Sequence, residues 1–120
     1  MEGIRSPQYL QETHTAVWNE KDPAKRDCMM QTIYTEDIRM YDKGFVLTGT
    51  AAVSDFIDKL FVQDAGFRFT AAGLLETTQN GARLYWEIRT GPQPNLLTGM
   101  DFFVLENGKV AHLYVFMDTP

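Results

Sequence analysis

The sequence predicts an α+β fold in which three N-terminal helices cover one face of a curved antiparallel sheet. Apolar residues recur at helical spacing only in the first half of the chain, up to Phe61. From Phe67 onward they alternate as in strands, and Asn80-Gly81 and Asn107-Gly108 separate apolar runs. Such a pair is the strongest short-range signal for a β-hairpin. Helices followed by consecutive antiparallel strands are typical of the α+β class.

Length and composition narrow the possible functions. The chain has 120 residues, 44% of them hydrophobic, which suits one domain spanning 1–120 with a single core. A net charge of −5 with scattered Lys and Arg argues against a nucleic-acid partner. The absence of a membrane-length apolar run and of a leader-like opening predicts a cytoplasmic protein without membrane contact. With one cysteine, Cys28, and two scattered histidines, we expect no disulfide, metal cluster or cofactor.

Two helices open the chain, each with a capping residue followed by proline. Ser6-Pro7 starts the first helix, which should end near Glu20, and its inward positions have helical spacing: Leu10, His14, Val17 and Trp18. Asp22-Pro23 repeats the signal and predicts a second helix to about Ile33.

A short strand and a third helix follow. Residues 37–42 alternate as a strand that ends at Asp42, before a Lys43-Gly44 turn and a brief extended segment over 45–47. Thr50 is the predicted cap of the third helix. The apolar stripe of that helix consists of Val53, Phe56, Ile57, Leu60 and Phe61.

Four strands then form a meander over 67–79, 82–90, 97–106 and 109–117, with Gly73 as a bulge in the first. The turn at Asn80-Gly81 predicts that Thr77 pairs with Leu84, and the turn at Asn107-Gly108 predicts the pair Asp101 with Tyr114. The middle pair of strands has no such turn. There we place Asp101 opposite Trp86, because facing Glu87 would oppose two carboxylates.

This register puts Asp101 on one face with a group of apolar and aromatic residues: Leu84, Trp86, Ile88, Phe103, Leu105, Tyr114 and Phe116. A carboxylate in such surroundings needs hydrogen bonds, and Tyr114 and the indole N–H of Trp86 are the candidate donors. Asp101 is thus a candidate general acid or base, or a neutral hydrogen-bond donor. The alternative is a strand-end aspartate that reaches water.

The opposite face of the sheet is also apolar, and its predicted members are Leu74, Tyr85, Phe102, Val104, Leu113 and Val115. Because the helices are needed on the Asp101 face, we expect a second copy of the chain to cover this one as an isologous homodimer. The alternative is a curled sheet covered by its own loops.

The order of several short segments resembles the nuclear transport factor 2-like superfamily, within it the SnoaL-like polyketide cyclase and ketosteroid isomerase branches. These segments are 17–22, 34–42, 47–53, 99–101 and 107–110. The resemblance covers essentially the whole chain and implies a cone-shaped, cystatin-like roll whose helices roof an apolar pocket.

By position, the resemblance implies a site of His14, Asp42 and Asp101. The isomerase branch has tyrosine where this chain has His14, and proline where it has Lys43. In the cyclase branch the aspartate of the sheet moves a proton during an aldol closure, and both branches share the position of Asp101. The alternative for His14 is a structural residue of the core or rim, as is usual for a lone histidine on an apolar helix stripe. The alternative for Asp42 is a structural role in which its side chain hydrogen-bonds the backbone of the turn that follows.

The implied function is cofactor-independent proton transfer on a small apolar carbonyl compound, as in an isomerase, cyclase or lyase. The ligand-binding wall would consist of Trp18, Tyr34, Trp86, Phe103, Tyr114 and Phe116. A non-catalytic binder of a small apolar molecule is the main alternative. An epoxide hydrolase is a third, and it would require Arg89 on the same face as Asp101.

Overall fold

The computed structural model describes residues 6–91 and 95–118. Its helices are α1 (Pro7–Asn19), α2 (Pro23–Ile33) and α3 (Thr50–Gln63). The predicted caps of α1 and α2 are confirmed, since Ser6 and Asp22 side chains accept backbone N–H groups at 2.9 Å each. The predicted cap of α3 is wrong. Gly49 precedes that helix with φ 94°, and Thr50 is already its first residue. A residue without Cβ is favoured at that backbone angle.

In the described part of the chain, seven strands form one curved sheet. They are β1 (Tyr34–Tyr41), β2 (Val46–Thr48), β3 (Arg68–Ala71), β4 (Glu76–Thr78), β5 (Gly81–Thr90), β6 (Asn95–Glu106) and β7 (Lys109–Met117). The order is β2-β1-β7-β6-β5-β3, and β4 also pairs with β5. The α+β class is confirmed. The sheet is mixed rather than purely antiparallel, because β1 runs parallel to β7.

The predicted strand over 67–79 is two strands. Residues 72–75 leave the sheet between β3 and β4, and Gly73 lies there with φ 155°. The following hairpin pairs Thr78 with Gly81, so its turn is Gln79 and Asn80 rather than Asn80-Gly81. Gly81 instead belongs to β5, where an added side chain would meet the ring of Phe102.

The pairing of β5 with β6 differs from the prediction by two residues. Leu84 pairs with Asp101, and Trp86 pairs with Gly99. The bulk of the indole explains this register, because Trp86 lies against a residue that has no side chain. Since side chains alternate with a period of two, Trp86 and Asp101 still share a face, as predicted.

The hairpin of β6 and β7 begins in the predicted register and then shifts. Leu105 pairs with Val110, but Phe103 pairs with Leu113 and Asp101 with Val115. The extra residue is Ala111, which forms a bulge. A shift of one residue exchanges the two faces of a strand.

The bulge corrects the predicted faces of β7. Tyr114 and Phe116 lie on the face away from Asp101, whereas Leu113 and Val115 lie on the same face as Asp101. Leu74, predicted on the sheet, is 85% exposed between β3 and β4. The apolar and aromatic residues of the outer face are therefore Tyr41, Tyr85, Met100, Phe102, Val104, Tyr114 and Phe116, and they share that face with Arg39, Arg83, Glu87 and His112.

A buried arginine joins the helices to one another. The guanidinium of Arg26 donates to the backbone oxygens of Glu20 and Ser54 at 2.8–3.0 Å and forms a 2.9 Å ion pair with Asp58. Arg26 is not predicted from the sequence, although its spacing from Met30 places it on the inward face of α2. Among the described residues, no helix is long and apolar enough to cross a membrane.

Candidate active site

A cavity of about 260 Å³ lies between the helices and the inner face of the sheet. Most of its wall is apolar: Trp18, Met40, Phe56, Leu60, Phe67, Phe69, Trp86, Ile88, Leu97, Val115 and Met117. Its polar groups are Asp42, Gln63, Asp64, Thr90 and Asp101. An apolar cavity with a few polar groups is the usual form of a small-molecule site.

Asp101 is a buried carboxylate in the wall of this cavity, with 3% of its surface exposed. Its Oδ1 accepts a hydrogen bond from Trp86 Nε1 at 2.9 Å, as the sequence predicts. The predicted donation from Tyr114 is wrong, because the β7 bulge turns that residue to the outer face. The second donor is His14, whose Nε2 lies 2.8 Å from Oδ2.

His14 lies behind Asp101 rather than in the cavity wall. It is completely buried on α1, with its ring against the edges of Phe103 and Phe69 at centroid distances of 4.9 and 5.6 Å. Its Nδ1 lies 2.5 Å from the hydroxyl of Tyr34, the first residue of β1. The tyrosine oxygen accepts a further hydrogen bond, from Trp18 Nε1 at 3.3 Å.

The two tryptophans determine the direction of this hydrogen-bond chain. An indole nitrogen can only donate, so Trp18 donates to Tyr34 and Trp86 donates to Asp101. Among the described residues, the hydroxyl hydrogen of Tyr34 has His14 Nδ1 as its acceptor. His14 then carries its own hydrogen on Nε2 and donates it to Asp101. Every donor has an acceptor when His14 is neutral and Asp101 is an ionised carboxylate.

Burial raises the pKa of the Tyr34 hydroxyl well above its ordinary value of 10.0. The hydrogen bond from Trp18 opposes this shift, and the negative charge of Asp101 adds to it. Tyr34 therefore keeps its proton and remains a donor to His14. Its role is to hold the imidazole in one tautomer, which in turn orients the carboxylate.

Two further carboxylates lie in the cavity wall, and each also stabilises a turn. Asp42 follows β1, is half-buried, and accepts the backbone N–H of Gly44 at 3.4 Å. Asp64 ends α3 and accepts the backbone N–H of Gly66 at 2.8 Å. Asp64 is not among the site residues predicted from the sequence. The signal available was its position one turn beyond the apolar stripe of α3.

The structure brings together only some of the predicted site residues. Trp18, Asp42, Trp86 and Asp101 line the cavity; His14, Tyr34 and Phe103 form the layer behind it. Tyr114 and Phe116 lie outside: Tyr114 stacks on Tyr41 at 4.4 Å, and both line a groove near the cavity mouth. Their predicted place in the inner wall is wrong, because the bulge at Ala111 shifts the register of β7 by one residue and turns both side chains to the outer face.

Arg89 does not lie on the face of Asp101. The register of β5 with β6 continues without a bulge from Gly81 to Thr90, so Arg89 alternates outward, opposite Leu96. Among the described residues that line the cavity, none is Lys, Arg or His. The arrangement that an epoxide hydrolase would need is therefore not formed by the residues predicted for it.

Comparison with protein families matches residues 11–113 to a SnoaL-like domain. This chain belongs to the SnoaL-like family. No curated protein sequence matches it significantly.

Solved structures share the fold of this SnoaL-like chain. A candidate isomerase of the SnoaL-like family from Agrobacterium tumefaciens has 24% identity and a TM-score of 0.82, over 93% of this chain and 97% of that one. A candidate SnoaL-like polyketide cyclase from Jannaschia sp. has 17% identity and a TM-score of 0.73, over 95% and 90%. An NTF2-like protein of unknown function from Exiguobacterium sp. has 17% identity and a TM-score of 0.69, over 94% and 98%. Identities this low show the fold, and the predicted family is confirmed by the domain match.

The raised pKa of Tyr34 predicts an alkaline loss of stability in this SnoaL-like protein. Above about pH 10 the unfolded chain releases the phenolic proton while the native state retains it, so the unfolded state binds fewer protons. The free energy of unfolding should then fall by about 1.4 kcal/mol per pH unit through Tyr34. Tyr34→Phe should remove this slope, whereas Tyr85→Phe, at an exposed position, should keep it. Equal slopes in denaturant unfolding of both variants would contradict the prediction.

Proposed function

We propose that this protein binds a small, largely apolar carbonyl compound in the cavity and that Asp101 transfers a proton on it. The observation that carries the proposal is a carboxylate oriented by two hydrogen bonds, 3% exposed, in the wall of an apolar cavity. Each carboxylate oxygen accepts one N–H group and keeps further acceptor capacity. Such a group can act as a general base towards a C–H bond next to a carbonyl.

The reaction can be written without a cofactor. Asp101 takes the proton from the α-carbon, the electron pair of that C–H bond forms a C=C bond while the C=O π pair moves to oxygen as an enolate, and the protonated carboxyl later returns the proton to carbon. Gln63 and Thr90 are the neutral polar side chains in the wall that can donate to the enolate oxygen. Asp42 is a second acid or base at the rim. His14 is a positioning residue, because it acts through Asp101.

The similar folds named as isomerase and polyketide cyclase agree with this class of reaction. The alternative is a binder in which Asp101 only accepts a hydrogen bond from the ligand, and fold likeness does not separate the two. Proton exchange at carbon separates them, because it needs enolate formation but not the natural substrate.

We expect the protein to accelerate hydrogen–deuterium exchange at the α-carbon of benzylacetone in D₂O, measured by NMR. Asp101→Asn should reduce this exchange by about 10²–10⁴-fold, the usual contribution of a general base. Asp55→Asn, at an exposed position on α3, is the matched control and should leave exchange unchanged. Equal exchange in both variants would contradict a role for Asp101. Binding of benzylacetone without exchange in the unaltered protein would favour the non-catalytic binder.

We also propose that the outer face forms a homodimer. It carries exposed aromatic rings, with Tyr85 50% and Phe116 55% exposed. Exposed aromatic and apolar side chains on one sheet face mark an interaction site, and a specific interface buries at least ~1,000 Å². Tyr85→Glu should shift the mass in light scattering from dimer to monomer. The control is Val62→Glu, at an 86% exposed position on α3, and a monomeric unaltered protein would refute the proposal.

A further inference from the structure

The charged residues among the described part of the cavity wall are all acidic. Three carboxylates, Asp42, Asp64 and Asp101, belong to its wall, and no Lys, Arg or His is among the described residues that line it. The rim carboxylates of Asp42 and Asp64 each use one oxygen on a backbone N–H group, so both stay accessible to a ligand. An anionic ligand would meet three like charges in a small volume. The cavity therefore disfavours carboxylate and phosphate compounds.

Among the described residues, the negative charge of Asp101 has no positive partner. Its donors are the indole of Trp86 and the imidazole of His14, and the direction of the hydrogen-bond chain makes that imidazole neutral. Buried charges in proteins are normally paired with an opposite charge. Here hydrogen bonds stabilise the carboxylate without neutralising its charge. A ligand in the cavity can supply the compensating positive charge.

Aromatic rings surround the same space: Trp18, Phe56, Phe67, Phe69 and Trp86. Aromatic faces attract organic cations, most strongly where water is excluded. An aromatic wall together with a buried carboxylate suits a positively charged nitrogen on an apolar body better than it suits a neutral polar group.

We propose that the ligand is a protonated amine whose ammonium group pairs with Asp101. This inference rests on the proposed function, because it takes the cavity to be the small-molecule site, and it narrows the substrate class to basic amino-carbonyl compounds. An ammonium group next to the α-carbon would place both the N–H groups and the reacting C–H within reach of Asp101.

The test compares three probes with the same apolar body: phenylpropylamine, phenylpropanol and phenylpropanoate. Both tryptophans of the chain line the cavity, so intrinsic fluorescence reports binding of each probe. We expect the amine to bind at least tenfold more tightly than the alcohol, and the carboxylate to bind most weakly. An alcohol that binds as tightly as the amine would overturn the inference.

Single substitutions test whether the charge of Asp101 causes the preference for the amine over the alcohol. In Asp101→Asn the preference for amine over alcohol should fall to threefold or less, while the exposed control Asp55→Asn should keep it. A preference that persists in a folded Asp101→Asn would overturn the pairing with Asp101.

A spectroscopic readout on the unaltered protein does not depend on the folding of that variant. The indole N–H signal of Trp86, assigned with Trp86→Phe, should move more with the amine than with the alcohol in proton–nitrogen NMR, because this group donates to Asp101. An equal response to both probes would overturn the inference.

The neutral ketone separates this inference from the proposed function. If benzylacetone binds and exchanges its α-hydrogen while the amine has no advantage over the alcohol, the amine inference fails and the proposed function stands. If none of the ketone, alcohol and amine binds, the proposed function fails with it.

Discussion

Gly99→Ala is expected to lower the free energy of unfolding by about 3–5 kcal/mol. A Cβ at this position would overlap the six-membered ring of Trp86 and the backbone oxygen of Phe116. The side chain of Trp86 could shift, but the carbonyl of Phe116 belongs to the paired strand β7 and cannot move without breaking the sheet. A displaced indole would also lose its hydrogen bond to Asp101, leaving a buried carboxylate with one donor.

Chemical denaturation of Gly99→Ala beside Gly44→Ala measures this effect. An added Cβ at Gly44 meets no atom within 4 Å, and its φ lies outside the left-handed region. Gly44→Ala should therefore be neutral or stabilise the protein by up to about 1 kcal/mol, through reduced freedom of the unfolded chain. Similar stabilities for the two variants would show that Trp86 is not held against Gly99.

His14→Phe is expected to cost about 2–5 kcal/mol, because it leaves a buried carboxylate and a buried hydroxyl each without one hydrogen-bond partner. Phenylalanine keeps a ring between Phe69 and Phe103 but removes both hydrogen bonds of the imidazole. Asp101 Oδ2 would then lack its donor, and the Tyr34 hydroxyl would lack its acceptor.

The second histidine of the chain provides the matched control. His112 lies half-buried on the outer side of the sheet, where Nδ1 is 2.8 Å from the hydroxyl of Tyr41. Water can replace that hydrogen bond, so His112→Phe should cost no more than about 1 kcal/mol. Equal losses in the two variants, measured by denaturant unfolding, would contradict the assigned hydrogen-bond chain.

Short-range sequence patterns predict much of the fold. The start of α1, the whole of α2, the apolar stripe of α3 and the turn at Asn107-Gly108 follow from residues within a few positions of each other. Side-chain alternation also placed Trp86 and Asp101 on one face, even though the predicted pairing was two residues out of register. Capping, helical spacing and strand alternation are short-range effects, so the sequence expresses them directly.

The candidate site depended on contacts that local patterns do not contain. Because of the bulge at Ala111, Val115 rather than Tyr114 lies on the inner face. The residues of the Asn107-Gly108 turn do not predict this bulge. His14 and Asp101 are 87 residues apart in the chain, and neither spacing nor periodicity predicts their hydrogen bond. The sequence alone thus identified the family, the fold and the central carboxylate. Only tertiary packing decided which side chains orient that carboxylate and which line the cavity, because register shifts and buried hydrogen bonds are settled by the fit of distant elements.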